Sequence, residues 1–326
     1  MKVWFRRFLI TSLVLTFLVI MAGAIVRTTG SGMGCPDWPK CFGQYIPPTD
    51  ISQLPADYKE IFKVEGKTIA DFDAFKTWVE YINRLLGALL GLAALGAVVC
   101  SFRYWKSNKS LVGLAGLNLF LILLAAWLGA KVVYSNLAVS SITIHMLVSF
   151  AIITVVSLTI LYERAVGVVN PVTTKIPSKI RNLFLLVIGL FVFQVLMGTQ
   201  VREEVDNLVI ATDNTERDRW IGLLPGIFFI HRSFSLVWTA LLGYLFMHVF
   251  RYYRQNTGIY KPLLAAGVFT FLEILTGVIM AYFAIPPAVQ PIHLLFSSLI
   301  FGLLVFSFVS MMLRTYSYKA SSLTAK

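Results

Sequence analysis

This chain has little charge for its length. Only 13% of its 326 residues are Asp, Glu, Lys or Arg, while 57% are apolar and the mean hydropathy is +0.76. So little charge excludes a soluble domain, which needs far more to cover its surface. Mid-span breaks are missing as well. Pro286, Pro287 and Pro291 cluster in one loop, which argues against the matched, interrupted helices of a transporter. No Arg/Ser-rich presequence precedes the first apolar run, so a bacterial cytoplasmic membrane is expected rather than organelle import.

What is abundant is apolar sequence in runs long enough to cross a bilayer. Spans are expected at 8–26, 78–101, 111–130, 140–162, 182–200, 224–250, 262–284 and 290–312. The fold class is therefore all-α integral membrane, with eight transmembrane helices. Lys and Arg set the orientation. With the N-terminus inside, one side receives Lys2, Arg6, Arg7, Arg103, Lys106, Lys109, Arg164, Lys175, Lys179, Arg181, Arg251, Arg254, Lys261, Arg314, Lys319 and Lys326. Glu163 is the only acid there, and the loops 27–77 and 201–223 on the other side hold nearly all the rest. Both termini are then cytoplasmic. This asymmetry accounts for the net charge of +12 without nucleic acid as a partner; the partner is the lipid bilayer.

Lys2, Arg6 and Arg7 before an apolar run ending in Ala22-Gly23-Ala24 also resemble a signal peptide. An internal repeat speaks against cleavage. Ile82-Asn83-Arg84 matches Ile230-His231-Arg232, Gly129 matches Gly277, and Ile144-His145-Met146-Leu147 matches Ile292-His293-Leu294-Leu295, all offset by 148 residues. The first span takes part: Gly23-Ala24-Ile25-Val26-Arg27 matches Gly198-Thr199-Gln200-Val201-Arg202 at an offset of 175. Generic similarity of greasy helices explains apolar matches, not His, Arg and Gly in one register. The chain reads as two four-helix halves, 1–165 with the long outer loop 27–77, and 166–326, each able to enclose a cofactor.

Only four histidines exist, His145, His231, His248 and His293. Three fall at repeat-related positions near outer helix ends. A lone intramembrane His is commonly a packing residue, but matched positions on parallel helices favour a functional role. Zinc or copper would recruit acids or thiolates, and none lies within a helical turn of His231 or His293. Haem brings four nitrogens of its own and needs only axial imidazoles. His248, 17 residues beyond His231, reads as a surface residue. Arg27, Arg84, Arg202 and Arg232 lie at outer helix ends, two per half. They suit haem propionates or, equally, interfacial snorkelling.

The halves differ where chemistry would be decided. Asn83 stands opposite His231 in the repeat, and Glu80 opposite Phe228. Glu80 shares a helical face with Asn83 and Arg84, so its carboxylate either exchanges protons with a substrate beside His145 or forms an i,i+4 ion pair with Arg84. One pocket reads as a stable bis-His cofactor site, the other as a reactive one. Cys35 and Cys41 in the first outer loop suit a disulfide, structural or redox-active. Cys100 reads as a core residue, and Glu273, opposite Ala125, must pair or be protonated within its span.

Three stretches carry a family resemblance: Val26-Arg27-Thr28-Thr29-Gly30-Ser31-Gly32-Met33-Gly34-Cys35-Pro36-Asp37-Trp38-Pro39, Glu80-Tyr81-Ile82-Asn83-Arg84, and His145 with His231 and His293. Over essentially its full length the chain resembles haem A synthase, the membrane enzyme that oxidises a methyl group of haem O to the formyl of haem A. The resemblance implies that His231 and His293 ligate a permanent haem b, flanked by Arg202 and Arg232. Haem O would enter the first half, with His145 as axial ligand, Glu80 as catalytic carboxylate, and Asn83, Arg84 and Arg27 around it. It also implies two successive hydroxylations, an unnamed electron acceptor, and a haem O synthase as supplier. Relatives commonly carry His where this chain has Asn83, which opens the question of a five-coordinate iron or a weak contact from Asn83. The second outer loop lacks the cysteine pair seen in some relatives.

Overall fold

The fold is a computed structural model that describes residues 1–64, 66, 68–134, 139–165, 177–254 and 256–324; side chains of 132–134, 139–141 and 314–324 are outside that description. Eight of its helices are long and apolar enough to cross a membrane. They are α1 (Lys2–Thr28), α2 (Ala74–Ser101), α3 (Lys109–Tyr134), α4 (Val139–Ala165), α5 (Ser178–Ala211), α6 (Gly226–Tyr253), α7 (Thr257–Tyr282) and α8 (Val289–Thr324). Each overlaps one expected span. Several run further, and α5 is the extreme case: the apolar run stops near residue 200, but the helix continues through Glu203, Glu204 and Asp206 to Ala211. Hydropathy marks the hydrocarbon-soluble stretch, whereas backbone hydrogen bonding carries a helix on into polar surroundings.

Local chemistry sets several helix starts. Asp73 caps α2, its carboxylate accepting from the Lys76 amide at 3.1 Å. Pro177 and Pro225 precede α5 and α6 as N-caps, where a missing N–H costs nothing. Outward faces are apolar. Along α2, Leu85, Leu89, Leu92, Leu95 and Val99 form one exposed stripe, 44–63% accessible. A stripe that large is intolerable in water and natural against lipid tails.

By contact density the chain divides into two compact units, Met1–Ile152 with Gln290–Leu294, and Ile153–Val289 with Leu295–Lys326. The boundary expected between 165 and 166 borders residues 166–176, which lie outside the described residues, as do Lys175 and Lys326 of the basic set assigned to the inner side. In the first unit α2 packs between α1 and α3. Buried Ala93, Ala94 and Ala97 on α2 permit the close approach. Leu90, Ala94, Ile122 and Ile152 form a core joined by Leu15 and Val19 of α1. In the second unit α6 packs against α5 and α7. Its Trp238 donates from Nε1 to the Val187 carbonyl at 2.9 Å, and Ser307 on α8 donates to the Ile259 carbonyl.

The long loop between α1 and α2 has its own small core. Cys35, Cys41, Phe42 and Tyr58 are buried together with Phe62, Phe72 and Tyr81 against them. Phe42 sits at φ 53, a left-handed conformation that costs a non-glycine residue about 1 kcal/mol or more. The Asp37 carboxylate offsets that cost, accepting from the Phe42 and Gly43 amides at 2.5 and 2.8 Å.

Candidate functional site

Each unit contributes its own frame of polar groups near helix ends. In the first, Glu80 on α2 is 4% exposed. Its Oε1 is paired with Arg84, which donates from Nε at 3.1 Å and from Nη2 in a shorter contact. Oε2 accepts the Cys35 amide at 2.9 Å. The i,i+4 ion pair, one of the two readings of Glu80, is thus present, and Glu80 also reaches the loop between α1 and α2. The same guanidinium donates to three loop carbonyls, Asp37 at 2.6 Å, Lys40 at 3.0 Å and Cys35 at 2.8 Å. Arg84 therefore faces the loop 35–40 and fastens it to α2.

That loop is closed by a disulfide between Cys35 and Cys41. Gly34 lets it lie flat on the helix: a Cβ there would stand 2.5 Å from the Lys76 carbonyl oxygen and 2.9 Å from the Thr77 amide nitrogen. Only glycine fits such a backbone-to-backbone approach. Thr77 adds a hydrogen bond to the Gly34 carbonyl at 2.9 Å.

Two histidines sit in cradles of the same design. His145 on α4 faces α3, where a Cβ on Gly129 would lie 3.6 Å from the ring Cε1. His231 on α6 faces α5, where a Cβ on Gly198 would lie 3.2 Å from Cε1. One helical turn earlier on each facing helix, the backbones of Ala125 and Gln194 approach the rings. Both Nδ1 atoms are buried, and neither contact reaches full hydrogen-bond geometry. A carbonyl at Nδ1 fixes the tautomer and leaves Nε2 as the ligating nitrogen. The Gln194 side chain braces the same ring from behind, donating from Nε2 to the His231 carbonyl at 3.0 Å. These cradles suit an axial ligand of haem. Among the described residues no three His, Cys, Asp or Glu side chains converge as a metal ion would require, whereas a haem iron asks the protein for one or two imidazoles only.

The other sequence-derived residues are placed as follows. Asn83 on α2 points its Oδ1 toward α1, 4.0 Å from where a Gly23 Cβ would be; that oxygen is buried without a hydrogen-bond partner. Arg27 contacts Gln290, Nη1 to Oε1 at 3.5 Å. Arg202 lies 3.6 Å from Asp206 one turn on. Arg232 is exposed, with its guanidinium over the rings of Phe228 and Phe229. His293 is half-buried on α8. His248 leans on the Tyr244 carbonyl at 3.0 Å, and Cys100 is buried as a free thiol. Sequence reasoning did not single out Gln194, Ala125 or Asp37. The signal for the cradles was available in Gly23, Gly129 and Gly198, which the repeat marked but did not pair with the histidines.

Comparison with known families places this arrangement. A family model described as "Cytochrome oxidase assembly protein", COX15-CtaA, matches residues 6–305. The chain belongs to the COX15-CtaA family. Curated members similar to it include a "Heme A synthase" of Staphylococcus saprophyticus, 24% identical over 93% of both chains. One of Macrococcus caseolyticus is 24% identical over 90% of this chain and 92% of its own. Another, from Shewanella oneidensis, is 31% identical over 54% of this chain and 52% of its own. Eight apolar helices within this family make the chain a multi-pass bacterial membrane protein.

Proposed function

We propose that this COX15-CtaA member is a haem A synthase, oxidising a methyl group of haem O to a formyl group by two successive hydroxylations. Each round adds the oxygen of one water and removes two electrons and two protons. The second yields a hydrated aldehyde, which loses water. The observation that carries the reading is the pair of glycine-cradled histidines, His145 and His231, in a chain whose near-full-length relatives bear that name.

In this reading the first unit receives haem O. His145 binds the substrate iron through Nε2. Glu80 is the acid–base group: Arg84 pairs with its Oε1 and orients the carboxyl, while Oε2 retains a lone pair beside its bond to Cys35 and can take a proton or steady positive charge. The disulfide loop, held by Arg84, closes the outer end above Glu80. His231 and His293 hold a resident haem b, flanked by Arg202 and Arg232. Haem b, when bound, supplies a one-electron redox centre tuned by its two imidazoles. Electrons leave to an acceptor outside the chain, and haem O arrives from the enzyme that makes it. The charge asymmetry supports a bacterial cytoplasmic membrane with both termini cytoplasmic.

Pigment extraction tests the proposal. Purified from cells that also make haem O, the protein should carry haem A or its hydroxylated precursor, and Glu80→Gln should carry haem O unconverted. Recovery of haem b alone, with haem O never altered, would mean a membrane cytochrome confined to electron transfer.

A further inference from the structure

The two halves of the repeat differ at one position that bears on ligation. At the offset of 148 residues His293 corresponds to His145, but His231 corresponds to Asn83. The second half of the sequence has two imidazoles at these positions and the first half has one. We infer that the haem of the first unit is held by His145 alone, with Asn83 as a non-ligating amide that leaves the sixth iron position open to a small ligand such as water. The inference rests on the proposed haem-binding role and adds the coordination state of that site.

Three observations carry it. The carboxamide ends a bond length nearer the backbone than an imidazole Nε2, and an amide oxygen is a far weaker ligand for iron than imidazole. Asn83 Oδ1 is buried with no hydrogen-bond partner. A buried acceptor without a donor is destabilising, and a water or hydroxide on the iron is a donor that would remove that cost. The neighbouring backbone is already shaped for histidine. Gly23 occupies on α1 the register that Gly198 occupies on α5, and its missing Cβ leaves 4.0 Å to Asn83 against 3.2 Å at His231. The room that a ring needs is therefore present, and the chain does not fill it. An open position suits a site whose substrate must be attacked by water, because water is drawn in and oriented by Asn83 rather than displaced by a second imidazole.

Full-length protein carrying both haems should show two classes of iron. One is low-spin and inert to carbon monoxide and cyanide; the other is high-spin when ferric, binding carbon monoxide when ferrous. Asn83→His should abolish carbon monoxide binding and convert the high-spin signal to low-spin at unchanged haem content. Asn83→Ala, which removes atoms rather than adding them, should keep carbon monoxide binding, and His145→Ala should lose the reactive haem while keeping the inert one. Two inert low-spin haems in the unmodified protein would overturn the inference, as would Asn83→Ala losing carbon monoxide binding with its haem retained. Haem A formation beside two inert haems would sink this inference and leave the synthase reading intact. An Asn83-dependent open haem in protein that never alters haem O would do the opposite.

Discussion

The N-terminal ends of α2 and α6 use one spacing for two purposes. In α2 the positions i, i+3 and i+4 are Glu80, Asn83 and Arg84; in α6 they are Phe228, His231 and Arg232. A carboxylate at the first position turns the arginine inward along the helix, and its remaining donors then fall on the carbonyls of Cys35, Asp37 and Lys40. With phenylalanine there, the arginine lies over two aromatic rings and stays exposed. The difference teaches that a helix-end arginine has no fixed role: the residue one turn earlier decides whether it becomes a structural clamp or a free cation.

Breaking the clamp should give the largest effect. Arg84→Ala leaves the buried Glu80 carboxylate without its ion pair and three loop carbonyls without donors. Stranding a buried charge costs about 3 kcal/mol or more. Arg232→Ala removes exposed cation–π contacts worth about 0.5–1 kcal/mol. Thermal unfolding in detergent, together with protease sensitivity of residues 29–73, should therefore separate the two variants clearly. Equal losses in both would mean that the loop is not fastened through Arg84.

The glycine cradles offer a second, smaller contrast. Alanine at Gly198 would press its Cβ to 3.2 Å from the His231 ring, while alanine at Gly23 would keep 4.0 Å from Asn83. Overpacking of this kind costs about 1–3 kcal/mol where the neighbour cannot move. Gly198→Ala should lower haem content or shift the visible spectrum, and Gly23→Ala should leave both unchanged. An identical spectrum in Gly198→Ala at full haem occupancy would show that the His231 ring is free to yield.

How much of this was legible in the sequence follows from the range of each interaction. The eight helices were, because hydropathy over about 20 residues is a local property. So was the Glu80–Arg84 pair, at i,i+4 on one helix. The grip of Arg84 on carbonyls 44 to 49 residues away was not, since nothing local to Asp37 or Lys40 announces it. The cradles lay between these extremes. Gly129 and Gly198 stood out in the repeat, but which helix face meets which is set by packing among helices that are apolar all round, and a hydropathy pattern does not record it. The pairing of Glu80 with Asn83 instead of histidine was plain in sequence, and its meaning depends on the unpartnered Oδ1 that only coordinates reveal.

The smallest expected effect lies within the α1–α2 loop itself, where Lys59 and Asp71 form an exposed ion pair, in contrast to the buried Glu80–Arg84. Lys59, by hydrogen bond and then by charge, holds the Asp71 carboxyl below its ordinary range; Asp71 in the same order holds the Lys59 ammonium above its own. The signs fix the window. The carboxylate contribution is complete above the ordinary Asp pKa and disappears as pH falls through the depressed one. The ammonium contribution is complete below the ordinary Lys pKa and disappears as pH rises through the elevated one. Between those limits both groups are charged and the pair is intact, yet water and salt screen it. Lys59→Met should therefore leave thermal stability at neutral pH unchanged within error, and should remove the slight acid loosening of the loop expected of the unmodified protein on hydrogen exchange. A marked loss at neutral pH would mean that this end of the loop, like the end gripped by Arg84, depends on a charge held out of water.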